Sequence, residues 1–148
     1  MNKEAQTYWN EYWGEQNKPT SVSTWKFGDT TDRLAEQVVS GDKTATCSGY
    51  AFYELKNMPL AMINDYGVIL NSEEQPVAIV KTVEVSIIPM NEVTEEFAIA
   101  EGDGTYEKWK DIHVNFFSSE LQKYGLTFTE DMLLVCERFK LIDIKNRL

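Results

Sequence analysis

Val77-Ala78-Ile79-Val80-Lys81-Thr82-Val83-Glu84-Val85-Ser86-Ile87-Ile88 is the longest β-branched run in the chain. Branched Cβ atoms suit a pleated, half-buried surface, so this stretch is predicted to be a central strand. Pro89 ends it, and the polar Asn71–Pro76 turn precedes it. Working outward, Tyr66–Leu70 reads as a short strand and Met132–Ile144 as the closing strand. Trp25–Phe27 and Lys43–Ser48 read as shorter strands. Pro59–Asp65 is irregular.

Between the strands lie helical patterns. Asp29 or Thr30 is placed to cap a helix whose apolar face is Leu34, Ala35, Val38 and Val39, and Gly41 suits its C-terminal stop. Asn91 is placed to cap a short helix running through Phe97 and Ile99. After the break Glu101-Gly102-Asp103-Gly104, a longer helix runs from about Thr105 to Tyr124, with Trp109, Ile112, Phe116 and Phe117 on its apolar face and Gly125 at its end. Residues 3–16 place Ala5, Tyr8, Trp9, Tyr12 and Trp13 at helical spacing, and 14–23 reads as a linker. Helices and strands mix without a βαβ rhythm. The reading is α+β, with a largely antiparallel sheet or small barrel.

The chain has 148 residues, one domain's length, and 43% hydrophobic residues, enough for a core without disulfides. Its formal charge of −10 disfavours a grip on long nucleic acid through phosphates, and no DNA partner is expected. A local basic pocket is compatible with that charge. Cys47 and Cys136 form no CxxC or zinc spacing and read as two reduced thiols. No run approaches a membrane span, and Met1–Gln6 has no apolar leader core, so a cytoplasmic protein is expected.

No glycine-rich phosphate loop or GxSxG elbow is present, and the single histidine is His113. Gly41-Asp42-Lys43-Thr44-Ala45-Thr46 delivers a lysine and two hydroxyls into a strand. Threonine becomes a nucleophile when a base takes its proton, and a desolvated lysine is one such base. Ideal strand alternation puts residues 43 and 46 on opposite faces, so their meeting requires a bend or a reaching lysine stem. Glu101 beside two glycines is placed to face a cleft. The calcium pattern fails there, because glycines hold the alternate slots. His113 lies on the apolar face of its helix, as a packed core residue or a pocket lining. Trp25, Phe27, Tyr50, Phe52 and Tyr53 surround the Lys43 segment as core residues or as a stacking platform for a base.

Taken in order, Trp25-Lys26-Phe27-Gly28, Gly41–Thr46, Glu101–Gly104, Trp109–His113 with Phe116-Phe117, and Glu130-Asp131 with Val135–Phe139 resemble the ASCH (activating-signal-cointegrator homology) domain of the bacterial stand-alone type. The resemblance covers about residues 24–142. It implies a PUA-like fold: a small mixed or antiparallel β-barrel flanked by helices, here as a domain over 24–148 with an extra N-terminal helix and linker over 1–23. It also implies a cleft beside the barrel, lined by the Gly-x-Lys-x-x-Thr segment, for RNA or nucleotide-derived ligands. One branch of the family is similar to an amidohydrolase that removes the acetyl group of N4-acetylcytidine with a Lys, a Thr and a Glu; Lys43, Thr46 and Glu101 fall on those positions. Trp25, Phe27, Thr44, Tyr50, Tyr53 and His113 are the corresponding candidates for substrate contact. No metal or other cofactor is expected. The alternatives are a module binding RNA or a nucleotide without chemistry, and a metal-independent ribonuclease using Lys43 with Tyr50, Tyr53 or His113. Asn64-Asp65 stands where the subgroup usually has Gly before Asp. The sequence does not set the oligomeric state.

Overall fold

The computed structural model describes residues 1–28 and 30–145. The elements in chain order are α1 (Lys3–Trp13), β1 (Val22–Trp25), α2 (Thr31–Ser40), β2 (Ala45–Gly49), α3 (Tyr50–Leu55), β3 (Tyr66–Leu70), β4 (Pro76–Pro89), α4 (Glu95–Ala100), α5 (Tyr106–Gln122) and β5 (Leu133–Ile144). The five strands form one sheet in the order β1-β3-β4-β5-β2. Among the described residues only the β1–β3 pair is parallel, with Val22 opposite Tyr66. The long β-branched run is indeed the centre of this α+β sheet, pairing with β3 on one side and β5 on the other. Its register shifts at Ile79/Val80 and at Thr82/Glu84. Such bulges bend a strand and increase its twist. The sheet curls accordingly: Trp25 of β1 packs edge-on against Phe139 of β5, three strands along, at 5.6 Å between ring centroids.

Period-two alternation clothes both faces of the sheet. Val68, Leu70 and Ile79 pack under Ala5, Tyr8 and Trp9 of α1. Ile69, Ala78, Val80 and Phe139 pack under Ala35 and Val38 of α2. A third cluster fills the space between β2, β5 and the helices, with Phe52, Phe97, Trp109, Phe117 and Leu134 at its centre. The N-terminal helix is thus part of the core: Trp9 is 1% exposed and Tyr8 donates to Asp143 at 2.8 Å. None of the described helices is long and apolar enough to cross a membrane.

Several local expectations are corrected. Strand β1 begins at Val22, inside the expected linker, because its backbone joins β3. Asp29 lies outside the described residues. Thr30 gives α2 no side-chain cap, since it sits at φ 45°, and Thr31 instead donates its hydroxyl to Phe27 O. Asn91 does not cap the short helix. Met90–Glu92 is a single 3₁₀ turn, and Thr94 caps α4 by accepting from Phe97 N–H. Gly41 ends α2 as expected, at φ 90°.

Candidate functional site

The stop at Gly41 sends the chain sharply back. Lys43 N–H bonds Gln37 O, Thr44 N–H bonds Ala100 O, and β2 then enters the sheet. Lys43 is thereby pulled inward and is 3% exposed. Its ammonium donates to Ala45 O at 2.8 Å and Glu101 O at 3.2 Å, and lies 3.5 Å from Glu101 Oε1. It also stands 5.1 Å from the centroid of the Phe27 ring, in cation–π range. All its donors therefore have acceptors, as a buried cation requires.

Glu101 closes α4 and is 2% exposed. Its Oε2 accepts from Trp109 Nε1–H at 2.5 Å and lies 3.5 Å from His113 Nε2. Burial pushes this carboxyl up, but the His113 contact, the Lys43 charge and the Trp109 donor outweigh it and hold the pKa at about 2. Burial pushes His113 down, and the adjacent Glu101 carboxylate outweighs it, so the imidazole is raised above its ordinary 6.5. His113 Nδ1 is 2.7 Å from Trp109 O, and the two rings stack at 4.5 Å. Asp103 Oδ2 lies 4.0 Å from that same nitrogen, and burial raises its carboxyl.

These groups form the floor of a cavity of about 420 Å³. Volumes of this order suit a small organic ligand. Lys43, Thr46, Glu101 and His113 all line it, with Phe27, Phe52, Tyr53, Phe116 and Phe117 as apolar walls. Lys26, Arg33 and Lys56 are also part of its lining. The bend between Gly41 and Ala45 brings Lys43 and Thr46 to one cavity despite strand alternation. No hydrogen bond joins them, because the lysine is turned towards Glu101.

Three sequence candidates lie elsewhere. Trp25 sits against Gly67 and Phe139, where the missing Cβ of Gly67 makes room for its ring. Thr44 is exposed, its backbone tied to Ala100 and Phe139. Tyr50 opens α3 and is 37% exposed, outside the cavity lining, while Tyr53, three residues on, turns inward and bonds Ser48 Oγ at 2.7 Å. Sequence reasoning did not single out Trp109 as a partner of Glu101, nor Cys47, Asp103 and the lining cations. The only signal for Cys47 was its place directly after Thr46.

The ASCH domain family model matches residues 23–143. The chain belongs to the ASCH domain family. A protein from Enterococcus faecalis is 39% identical, with a TM-score of 0.88 over 97% of this chain and 91% of that one. An ASCH domain from Lactobacillus crispatus is 32% identical, with a TM-score of 0.89 over 95% of each chain. An ASCH protein from Zymomonas mobilis shares the fold at 13% identity and a TM-score of 0.50, over 83% of this chain and 67% of that one. No curated protein matches the chain. The ASCH domain is a PUA-like, RNA-binding fold family, and the cavity described above lies beside its curled sheet.

Proposed function

We propose that this ASCH domain is a hydrolase of small modified nucleosides, acting on an exocyclic amide of the N4-acetylcytidine type. The observation that carries the reading is the buried Lys43–Glu101 pair on the floor of a nucleoside-sized cavity that also holds the Thr46 hydroxyl. Aromatic side chains offer faces for the base. The chain's charge of −10 favours an uncharged nucleoside over a polyanion.

The chemistry follows from the pair. Lys43 and Glu101 are both already out of water, and with Glu101 held at about 2 the neutral form of the pair is scarce, so reaching it is part of the barrier. Proton transfer from Lys43 to Glu101 then yields an amine and a carboxylic acid. The amine takes the Thr46 proton as the hydroxyl attacks the acyl carbon, and the acid protonates the leaving N4. Cytidine departs, leaving acyl-Thr46 and the restored ion pair. Water then attacks the ester with one proton taken by Glu101, which returns it to the departing Thr46 oxygen, so acetic acid leaves and the Thr46 hydroxyl is restored. Incubation with N4-acetylcytidine, followed by chromatography, tests this. The expected result is conversion to cytidine that is lost in Lys43→Ala and in Thr46→Ala with the fold intact. Turnover persisting in either variant overturns the mechanism.

Lys26, Arg33 and Lys56 favour a second reading, in which the cavity holds a nucleotide or an RNA end without chemistry. Such binding weakens with salt and with Lys43→Ala. Binding indifferent to both would contradict it.

A further inference from the structure

Cys47, Glu101 and His113 come from three separate elements: β2, the end of α4, and α5. The hydrolytic reading has no use for the thiol. Yet one ligand atom from each, Sγ, a carboxylate oxygen and a ring nitrogen, all lie within 4.8 Å of one another. The inward nitrogen of His113 is Nε2, because Nδ1 is engaged by Trp109 O at 2.7 Å. Nε2 stands 3.5 Å from Glu101 Oε2, longer than an N–H···O bond, which spans about 2.7–3.2 Å. It is close to the edge of a tetrahedron of donors around a zinc-sized ion, about 3.3 Å for bonds of about 2.0–2.1 Å.

The surroundings have the same character. A ligating histidine commonly gives its other ring N–H to a carbonyl, and a ligating carboxylate is held by a donor of its own. Here Trp109 does both, through its carbonyl to His113 and through Nε1–H to Glu101. Lys43 engages the other carboxylate oxygen, Oε1, so Oε2 carries the Trp109 N–H alone and keeps a second lone pair for an ion. A divalent ion with one thiolate, one carboxylate and a neutral imidazole is uncharged overall, so the Lys43 ammonium is left to be balanced by an anion in the open fourth position. The mixed S, N, O set suits zinc-class ions and not calcium or magnesium, which want oxygen shells.

We propose that Cys47, Glu101 and His113 form a binding site for one divalent transition metal of the zinc class, with its fourth position open to the cavity. All three residues line that cavity, so the free position faces the ligand space. The donor atoms, within 4.8 Å of one another, are spread wider than a tetrahedral edge, and side-chain torsions of Cys47 and Glu101 draw them in. The proposal goes beyond the hydrolytic reading and stands or falls without it.

The test is a titration of the full chain, stripped by a chelator and kept in a phosphine reductant, with Co²⁺ as the probe. One equivalent is expected to give visible bands of tetrahedral intensity and a thiolate-to-cobalt charge-transfer band, both displaced by Zn²⁺. Cys47→Ser is expected to abolish the charge-transfer band, and His113→Gln to weaken binding by about ten-fold or more. Cys136→Ser is the control and keeps the full spectrum. No saturable Co²⁺ binding, a weak octahedral spectrum, or a charge-transfer band that follows Cys136 instead of Cys47 would each overturn the site. Because every readout is metal binding, failure of the nucleoside assay leaves this result untouched, and the reverse holds.

Discussion

His113 Nε2 lies 3.5 Å from Glu101 Oε2, while the opposite ring nitrogen is 2.7 Å from the carbonyl of Trp109, one helical turn earlier. The ring is therefore fixed at both ends. Burial favours its neutral form, but the adjacent carboxylate favours the imidazolium, and the carboxylate prevails. Followed by its ring-proton NMR signals in metal-free protein, His113 is expected to titrate above 6.5. Glu101→Gln removes the charge and keeps the burial, so the midpoint is expected to drop below 6.5. An unchanged midpoint would mean that Glu101 is not the controlling group.

The same pair sets the direction of stability with pH. A raised histidine contributes stability that is complete below 6.5 and is lost as pH rises through its folded value. Glu101, held at about 2 against an ordinary 4.5, contributes stability that is present above 4.5 and is lost as pH falls towards 2. Asp103 and Glu137 are raised chiefly by burial and work with the opposite sign, favouring the fold on acidification. Urea midpoints measured against pH in His113→Gln isolate the histidine contribution. The variant is expected to lose the decline seen in wild type above neutrality. An identical alkaline slope in both proteins would refute the assignment.

Much of this arrangement was legible in the residues, and the omissions have physical reasons. The β-branched run of β4 and the stop at Gly41 announce themselves through local sterics, which the sequence carries directly. Lys43, Thr46 and Glu101 emerged as candidates from residue type and resemblance, but their placement depends on the turn from Gly41 to Ala45. That turn is fixed by bonds to Gln37 and Ala100, distant in sequence from one another. Helix α3 is six residues long, too short for a 3.6-residue period to show, so Tyr50 and Tyr53 could not be sorted into outward and inward. The position of Trp25 depends on a glycine in a different strand. Cys47 was invisible as a site member because its neighbours, Glu101 and His113, are 54 and 66 positions away along the chain.

Gly67 is the residue that keeps Trp25 inside the sheet. A Cβ at position 67 would lie 2.5 Å from Trp25 Cε2 and 2.6 Å from its Nε1. The strand register places Ser23 opposite Gly67, so Trp25 reaches it diagonally. Gly67→Ala is therefore expected to destabilise by about 1–3 kcal/mol, as overpacking does. Trp25→Phe, with a smaller ring, is expected to relieve most of that penalty, so the double variant is less destabilised than the sum of the singles. Denaturant midpoints of the four proteins give the coupling. Strict additivity would show that the ring and the glycine do not share this space.

Asn64 holds the turn before β3 in a backbone that favours glycine. Its φ is 78°, in the left-handed region. Asparagine tolerates that region better than other side chains. Its N–H bonds Thr82 O at 2.9 Å, and Asp65 N–H bonds Met62 O at 3.1 Å, so the turn is anchored on both sides before β3 begins. The required backbone is therefore kept by a different residue. Asn64→Gly is expected to leave stability within about 0.5 kcal/mol of wild type, relief of strain offsetting the greater freedom of the unfolded chain. Asn64→Val, branched at Cβ, is expected to cost more than the roughly 1–2 kcal/mol of an ordinary left-handed residue. Urea unfolding of both variants decides the matter. If valine is tolerated as well as glycine, the turn is not constrained by the left-handed backbone at position 64.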